Sequence, residues 1–211
     1  LETVAAEALA REHAPILAEI DEQHDALAAE MGLGADETRE LLGPYRKELR
    51  ELVKGVALVG ELTPRTRARL LAFGELMATR LGAAYLERSG IPASWLDARD
   101  LLTSVEARNG RDAASYLSAE CSPAADEALA ARVAEARGVP ITQGFIARNS
   151  DGETVVLGRG GSDTAAAYFA GKLSAERLEI WTDVPGMFTA DPRVVPSARL
   201  LRQLDYREAQ E

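Results

Sequence analysis

Thr154-Val155-Val156-Leu157-Gly158-Arg159-Gly160-Gly161-Ser162-Asp163-Thr164 is the stretch that decides the fold. Its first four residues are apolar and mostly β-branched, the pattern of a short buried strand. Ala165 to Ala170 then favours a helix, with Ser162 and Asp163 where capping residues belong. Strand, glycine turn and helix start together aim free backbone N–H groups and the positive end of a helix dipole at one point. Such a point suits a phosphate or a carboxylate, and Arg159 adds a guanidinium fork able to grip either in bidentate fashion. The loop fits neither the Walker A spacing nor G-x-G-x-x-G. On its own it is also compatible with a turn that is merely tight.

Working outward, Ile180-Trp181-Thr182-Asp183-Val184-Pro185-Gly186 reads as a strand ending in Thr-Asp, followed by a long polar loop. Loops at the carboxyl ends of strands are where open α/β sheets bind ligands. Short strands are expected at 93–96, 113–117, 140–147, 154–157 and 178–182, and helices at 124–137 and 162–173. That alternation implies βα units around a mainly parallel sheet. Ser150-Asp151-Gly152 marks one antiparallel hairpin.

Upstream, residues 1–90 read as helices separated by proline and glycine. Pro15 fits the first turn of a helix reaching Met31, Gly32-Leu33-Gly34 ends it, and Gly43-Pro44 repeats the break. Thr63 is the expected N-cap of a helix from Pro64 that Gly90 closes. In that helix Leu70, Phe73, Met77, Leu81 and Ala84 form an apolar face, and Leu71, Ala78, Gly82 and Leu86 a second stripe. Glu75 falls on the second stripe. Periodicity leaves open whether its carboxylate is buried against a partner or reaches solvent along its stem.

The chain has 211 residues, enough for one domain with a sizeable core. A formal charge of −10 disfavours nucleic acid or an anionic membrane as a partner of the whole surface, although a local arginine can still hold phosphates. A single cysteine, Cys121, excludes an internal disulfide and fits a reducing cytoplasm. His13 and His24 lack the dense ligand set of a metal site, and no metal-binding residues are assigned.

Three blocks now carry a resemblance: ITQGFI (141–146), LGRGGSDTAA (157–166) and WTDVPGMFTADPRVV (181–195). In order and spacing they resemble the signature blocks of aspartate kinases, in the amino-acid kinase superfamily. A fourth, FGELM (73–77), is similar to the family's helix segment bearing a substrate glutamate. The likeness extends from about Leu62 to Glu211. It implies an α/β fold, a three-layer αβα sandwich with a mainly parallel sheet of the carbamate-kinase type. The helical part would be 1–90, and the α/β part with the substrate and nucleotide motifs 91–211.

The implied activity is ATP-dependent phosphorylation of the β-carboxylate of L-aspartate, with Mg²⁺ bridging the ATP phosphates, in a cytoplasmic homo-oligomer. By resemblance, Glu75 receives the substrate ammonium and Arg159 clamps a carboxylate, helped by Gly160, Gly161 and Ser162. Phe145 lines the pocket. Asp163 resembles the carboxylate that orients catalytic lysines, although a helix start favours an acid there in any case. Thr182 and Asp183 resemble the nucleotide-binding pair, and Phe188 the residue beside adenine or ribose, where tyrosine is common. Arg193 resembles a phosphate contact, with an exposed loop arginine as the alternative. The KFGGTS lysine strand, a second lysine segment and the ACT domains of the family have no match in these residues, and neither Lys54 nor Lys172 sits in a matching motif. The chain therefore reads as an excerpt, expected to be nearly inactive alone. Another amino-acid kinase (glutamate or acetylglutamate type) and a non-catalytic sensor remain as alternatives.

Overall fold

In the computed structural model, residues 1–10, 13–106, 113–182 and 185–205 are described. They divide into two units, Leu1–Leu178 and a second beginning at Glu179.

The first unit opens with four helices: α1 (Glu2–Ala10), α2 (Ala14–Glu30), α3 (Ala35–Val59) and α4 (Pro64–Arg88). Pro15 lies in the first turn of α2, where a missing N–H costs nothing. The Thr63 hydroxyl caps α4 by accepting from the Thr66 N–H at 3.2 Å. Gly43-Pro44 does not break the chain as its composition suggests, because α3 runs straight through Pro44. Packing explains this. Thr38, Leu42, Leu49, Val53 and Val56 are buried along one continuous stripe across the proline, while Pro44 itself faces solvent. Burying such side chains contributes about 1.5–3 kcal/mol each, enough to outweigh one lost helical hydrogen bond.

Helix α4 is the spine of this unit. Leu70, Phe73, Met77 and Leu81 are almost completely buried on its expected apolar face. It packs against α3, α1 and the strands that follow. Strands β1 (Ala93–Trp95) and β2 (Val139–Ile141) pair in parallel, with Ala93 opposite Val139. Strands β3 (Ile146–Arg148) and β4 (Thr154–Val156) form the antiparallel hairpin, with Ile146 opposite Val156. Gly152 sits at φ +78° in its turn, a conformation that suits glycine. The expected single strand over 140–147 is thus split. Thr142 to Phe145 separate β2 from β3.

Residues 113–117 form a one-turn helix, α5 (Ala113–Leu117), rather than a strand. Two alanines favour that, and Tyr116 is buried with its hydroxyl donating to Glu153 Oε2 at 2.6 Å. Helices α6 (Glu127–Ala134) and α7 (Gly161–Lys172) pack on each other, and α7 also packs on β3. Lys172 Nζ lies 3.3 Å from Asp126, closing that pair. No described helix is long and apolar enough to cross a membrane.

Residues 178–182, which run from the end of the first unit into the second, are not paired as a strand among the described residues, and Ile180 and Trp181 are exposed. Phe188 forms an antiparallel bridge with Leu200. Asp191 starts a tight turn, its carbonyl accepting from the Val194 and Val195 N–H groups.

Candidate active site

The glycine loop after β4 is built by backbone geometry. Leu157 N–H donates to the Phe145 carbonyl at 2.8 Å, extending the hairpin by one bond. The chain then turns at Gly158 (φ +75°) and Gly160 (φ +69°), both in the left-handed region. Gly160, not Ser162 or Asp163, is the N-cap of α7. Ser162 and Asp163 occupy the exposed first turn instead. The Gly161 N–H folds back to the Gly158 carbonyl at 3.0 Å. The next two N–H groups have no acceptor within the helix, so the tip of α7 presents donors and a positive dipole end to solvent.

Close packing fixes this tip against the loop before β3. A Cβ on Gly144 would lie 2.9 Å from Ser162 Cα, and one on Gly161 only 2.6 Å from the Phe145 ring. Phe145 itself adopts φ +63°, unusual for a residue with a side chain. Its N–H donates to the Gly161 carbonyl at 3.2 Å, so the contact that strains it also anchors it.

A cleft of about 400 Å³ opens here, lined by Glu75, Phe145 and all six residues from Gly158 to Asp163. Seven of the site residues expected from sequence, drawn from three separated stretches, therefore share one cavity: Glu75, Phe145, Arg159, Gly160, Gly161, Ser162 and Asp163. An adjoining cleft of about 330 Å³ shares Phe145, Gly158 and Arg159 and adds Arg67, which is bonded to Glu2 at 2.6 Å. Arg159 is exposed and has no carboxylate partner among the described residues. Glu75 is half-buried, and burial holds its carboxyl pKa above the ordinary 4.5. Among the described residues no cation offsets that desolvation.

Those two facts define what the cavity can recognise. One wall has a carboxylate in want of a cation. The other has a guanidinium and a helix N-terminus in want of an anion. A zwitterion, such as a free amino acid, satisfies both.

The remaining candidates belong to the second unit. The Phe188 side chain is half-buried there, and Thr182 is exposed. Arg193 is 89% exposed, and its guanidinium and its N–H both donate to the Asp191 carboxylate, at 3.0 and 2.9 Å. Asp183 lies outside the described residues. Among the described residues no group of three His, Cys, Asp or Glu side chains converges as a metal site. His24 Nδ1 is 2.7 Å from its own helix at the Ile20 carbonyl. Cys121 is buried, its thiol pushed up to about 11 by desolvation, which makes it a poor nucleophile.

Sequence reasoning passed over Gln143 and Thr79. Gln143 is fully buried, and the one signal for it is a Gln-Gly pair inside the run expected as a single strand.

The sequence profile of the amino acid kinase family matches residues 6–211. The chain belongs to the amino acid kinase family. Over 174 residues it is 38% identical to the lysine-sensitive aspartokinase 3 of Escherichia coli (strain K12), covering 79% of this chain and 37% of that one. It is 36% identical over 170 residues to aspartokinase 1, chloroplastic, of Arabidopsis thaliana, covering 79% and 29% respectively. The chain thus spans about a third of the length of these relatives. Among solved structures it is similar to E. coli aspartokinase III in complex with aspartate and ADP (R-state), with a TM-score of 0.77 at 31% identity over 94% of this chain and 44% of that one. The lysine and aspartate complex of that enzyme (T-state) gives a TM-score of 0.72 at 33% identity, with the same coverage.

Proposed function

We propose that this chain carries the acceptor site of an aspartate kinase, which transfers the γ-phosphoryl group of ATP to the β-carboxylate of L-aspartate. A carboxylate oxygen attacks the γ-phosphorus, the bond from that phosphorus to the β,γ-bridging oxygen breaks, and the products are ADP and the acyl phosphate. The observation that carries this reading is the pairing, in one cleft, of a half-buried Glu75, with no cation beside it among the described residues, and the donor-rich tip of α7 with Arg159. The aspartokinases it resembles, one of them solved with aspartate and ADP, supply the choice of acceptor and donor.

In this scheme Glu75 takes the α-ammonium, and Arg159 grips a substrate carboxylate with backbone groups of Gly160, Gly161 and Ser162. Phe145 closes the side of the pocket. Phosphoryl transfer asks the protein chiefly to align two anions and offset their repulsion, and an arginine beside a helix N-terminus does so without moving. Asp163, exposed in the first turn of α7, would orient the lysine countercharge. Lys172 is spoken for by Asp126, so that lysine is sought elsewhere. Thr182, Asp183, Phe188 and Arg193 would hold the nucleotide. Mg²⁺ would arrive on the ATP phosphates, as that ion commonly does with only one or two protein carboxylates.

The test is a hydroxylamine trap of the acyl phosphate, using the full gene product that contains residues 1–211. Hydroxamate from aspartate and ATP, with little from glutamate, supports the proposal. Preference for glutamate or N-acetylglutamate would reassign the acceptor, and no hydroxamate from any of them would defeat the reading.

A further inference from the structure

Joined to the Glu75 turn of α4 is a polar network that the chemistry above does not use. The fully buried Gln143 accepts the Ala98 N–H at 2.8 Å through Oε1. Its Nε2 donates to Thr79 Oγ1 at 2.8 Å. Trp95 Nε1 donates to the same oxygen at 3.0 Å, and the Thr79 hydroxyl donates to the Glu75 carbonyl at 2.7 Å. A hydroxyl offers one proton and two lone pairs, so Thr79 is fully used. Arg80 stacks over the Trp95 ring at 3.6 Å and donates to the Tyr45 hydroxyl at 3.1 Å, bracing the network from outside.

The position of this network matters more than its count of bonds. Thr79 stands one helical turn after Glu75 on α4. Gln143 stands two residues before Phe145, and Gly144 between them admits Ser162 of α7. Three consecutive residues therefore connect both walls of the cleft: Gln143 holds the helix of Glu75, Gly144 seats the tip of α7, and Phe145 bonds to Gly161. Packing alone would need only an apolar side chain at 143. A buried amide is costly unless every bond is made, and here it ties together segments 64 residues apart.

We infer that Gln143 and Thr79 are positioning residues, whose side-chain tie sets the span between the Glu75 carboxylate and the anion-receiving tip of α7. That span is matched to one length of amino acid, so the tie governs discrimination between aspartate and its one-methylene-longer homologue. This rests on the reading of the cleft as an amino-acid site.

The experiment uses the full gene product, with Thr79→Val, Thr79→Ala, Thr79→Ser and Gln143→Leu, and Glu75→Gln as reference. Steady-state hydroxamate kinetics are taken with aspartate, glutamate and ATP varied in turn. Thr79→Val is expected to raise the aspartate KM about tenfold, as for one to two lost hydrogen bonds, with the ATP KM unchanged and the aspartate-over-glutamate preference reduced. Gln143→Leu should do the same, and Thr79→Ser, which keeps the hydroxyl, should restore most of the loss. If Thr79→Val does not fold, Thr79→Ala is read by the same three numbers. A lower melting temperature with both KM values and the preference intact would overturn the inference, as would an equal rise in both KM values. An aspartate KM indifferent to Glu75→Gln would instead bring down the reading of the cleft, and the inference with it.

Discussion

Glu75 is a carboxylate that the folded protein protonates more readily than the unfolded chain does, because burial raises its pKa above 4.5. The sign of the linkage follows. An acid whose pKa rises on folding supports the fold below its unfolded pKa, and that support is lost as pH climbs through the higher folded value. At neutral pH the ionised Glu75 is thus a burden on the empty protein. Glu75→Gln should raise the melting temperature at pH 7 by about 2 °C or more and flatten the fall in stability above pH 4.5, read by scanning calorimetry at several pH values. The same change should weaken aspartate binding, which in the wild type should itself decline as acid protonates Glu75. Cys121 gives a second residue-scale expectation. With its thiol held to about 11 by burial, it should react with a disulfide reagent at pH 8 only as fast as the protein opens. Rapid stoichiometric reaction of the native protein would contradict its burial.

At the scale of elements, what could be read from the residues depended on how local the cause was. The start of α4 was legible because a threonine hydroxyl and a proline act within one turn. The β3–β4 hairpin was legible because Ser-Asp-Gly is turn chemistry. The path of α3 through Pro44 was not, since the cause is a stripe of its own side chains that other elements bury. Residues 113–117 are too few for any period to declare itself, and 178–182 looked like a strand, which exists only when paired. Within the cleft, the glycines and Arg159 were legible through spacing, whereas Gln143 was hidden because nothing in a sequence addresses an amide to a hydroxyl 64 residues away. Two substitutions test these elements. Pro44→Ala restores an N–H in an exposed position of α3, and should stabilise by about 1–2 kcal/mol after the looser unfolded chain is counted, seen as a higher urea midpoint. Gly144→Ala forces a methyl to within 2.9 Å of Ser162 Cα. It should lower stability by about 1–3 kcal/mol and displace the tip of α7, with a loss of aspartate affinity in the same titration.

For the whole molecule, the residues proposed for the two substrates fall in the two different units. Those for the amino acid, Glu75, Phe145 and 159–163, lie within Leu1–Leu178, and those for the nucleotide, Thr182, Asp183, Phe188 and Arg193, lie beyond it. If each unit recognises its own ligand, substitutions should sort kinetically by unit. Arg159 lines the cleft with no carboxylate partner among the described residues, and truncating a charge-assisted bidentate contact costs roughly 2–4 kcal/mol. Arg159→Ala should therefore raise the aspartate KM roughly thirty- to several-hundred-fold and leave the ATP KM within a factor of about two. Among the described residues Arg193 is tethered by Asp191 in its own turn and by no other, so Arg193→Ala removes an exposed side chain without touching the core. It should raise the ATP KM by about tenfold, the effect of one phosphate contact, and spare the aspartate KM. Asp183→Ala should follow Arg193→Ala. Initial rates in the full gene product, with each substrate varied at saturation of the other, separate the two patterns. A crossed result, with Arg159→Ala acting on ATP and Arg193→Ala on aspartate, would exchange the two assignments. Equal effects on both substrates from either change would mean that the units do not divide recognition between them.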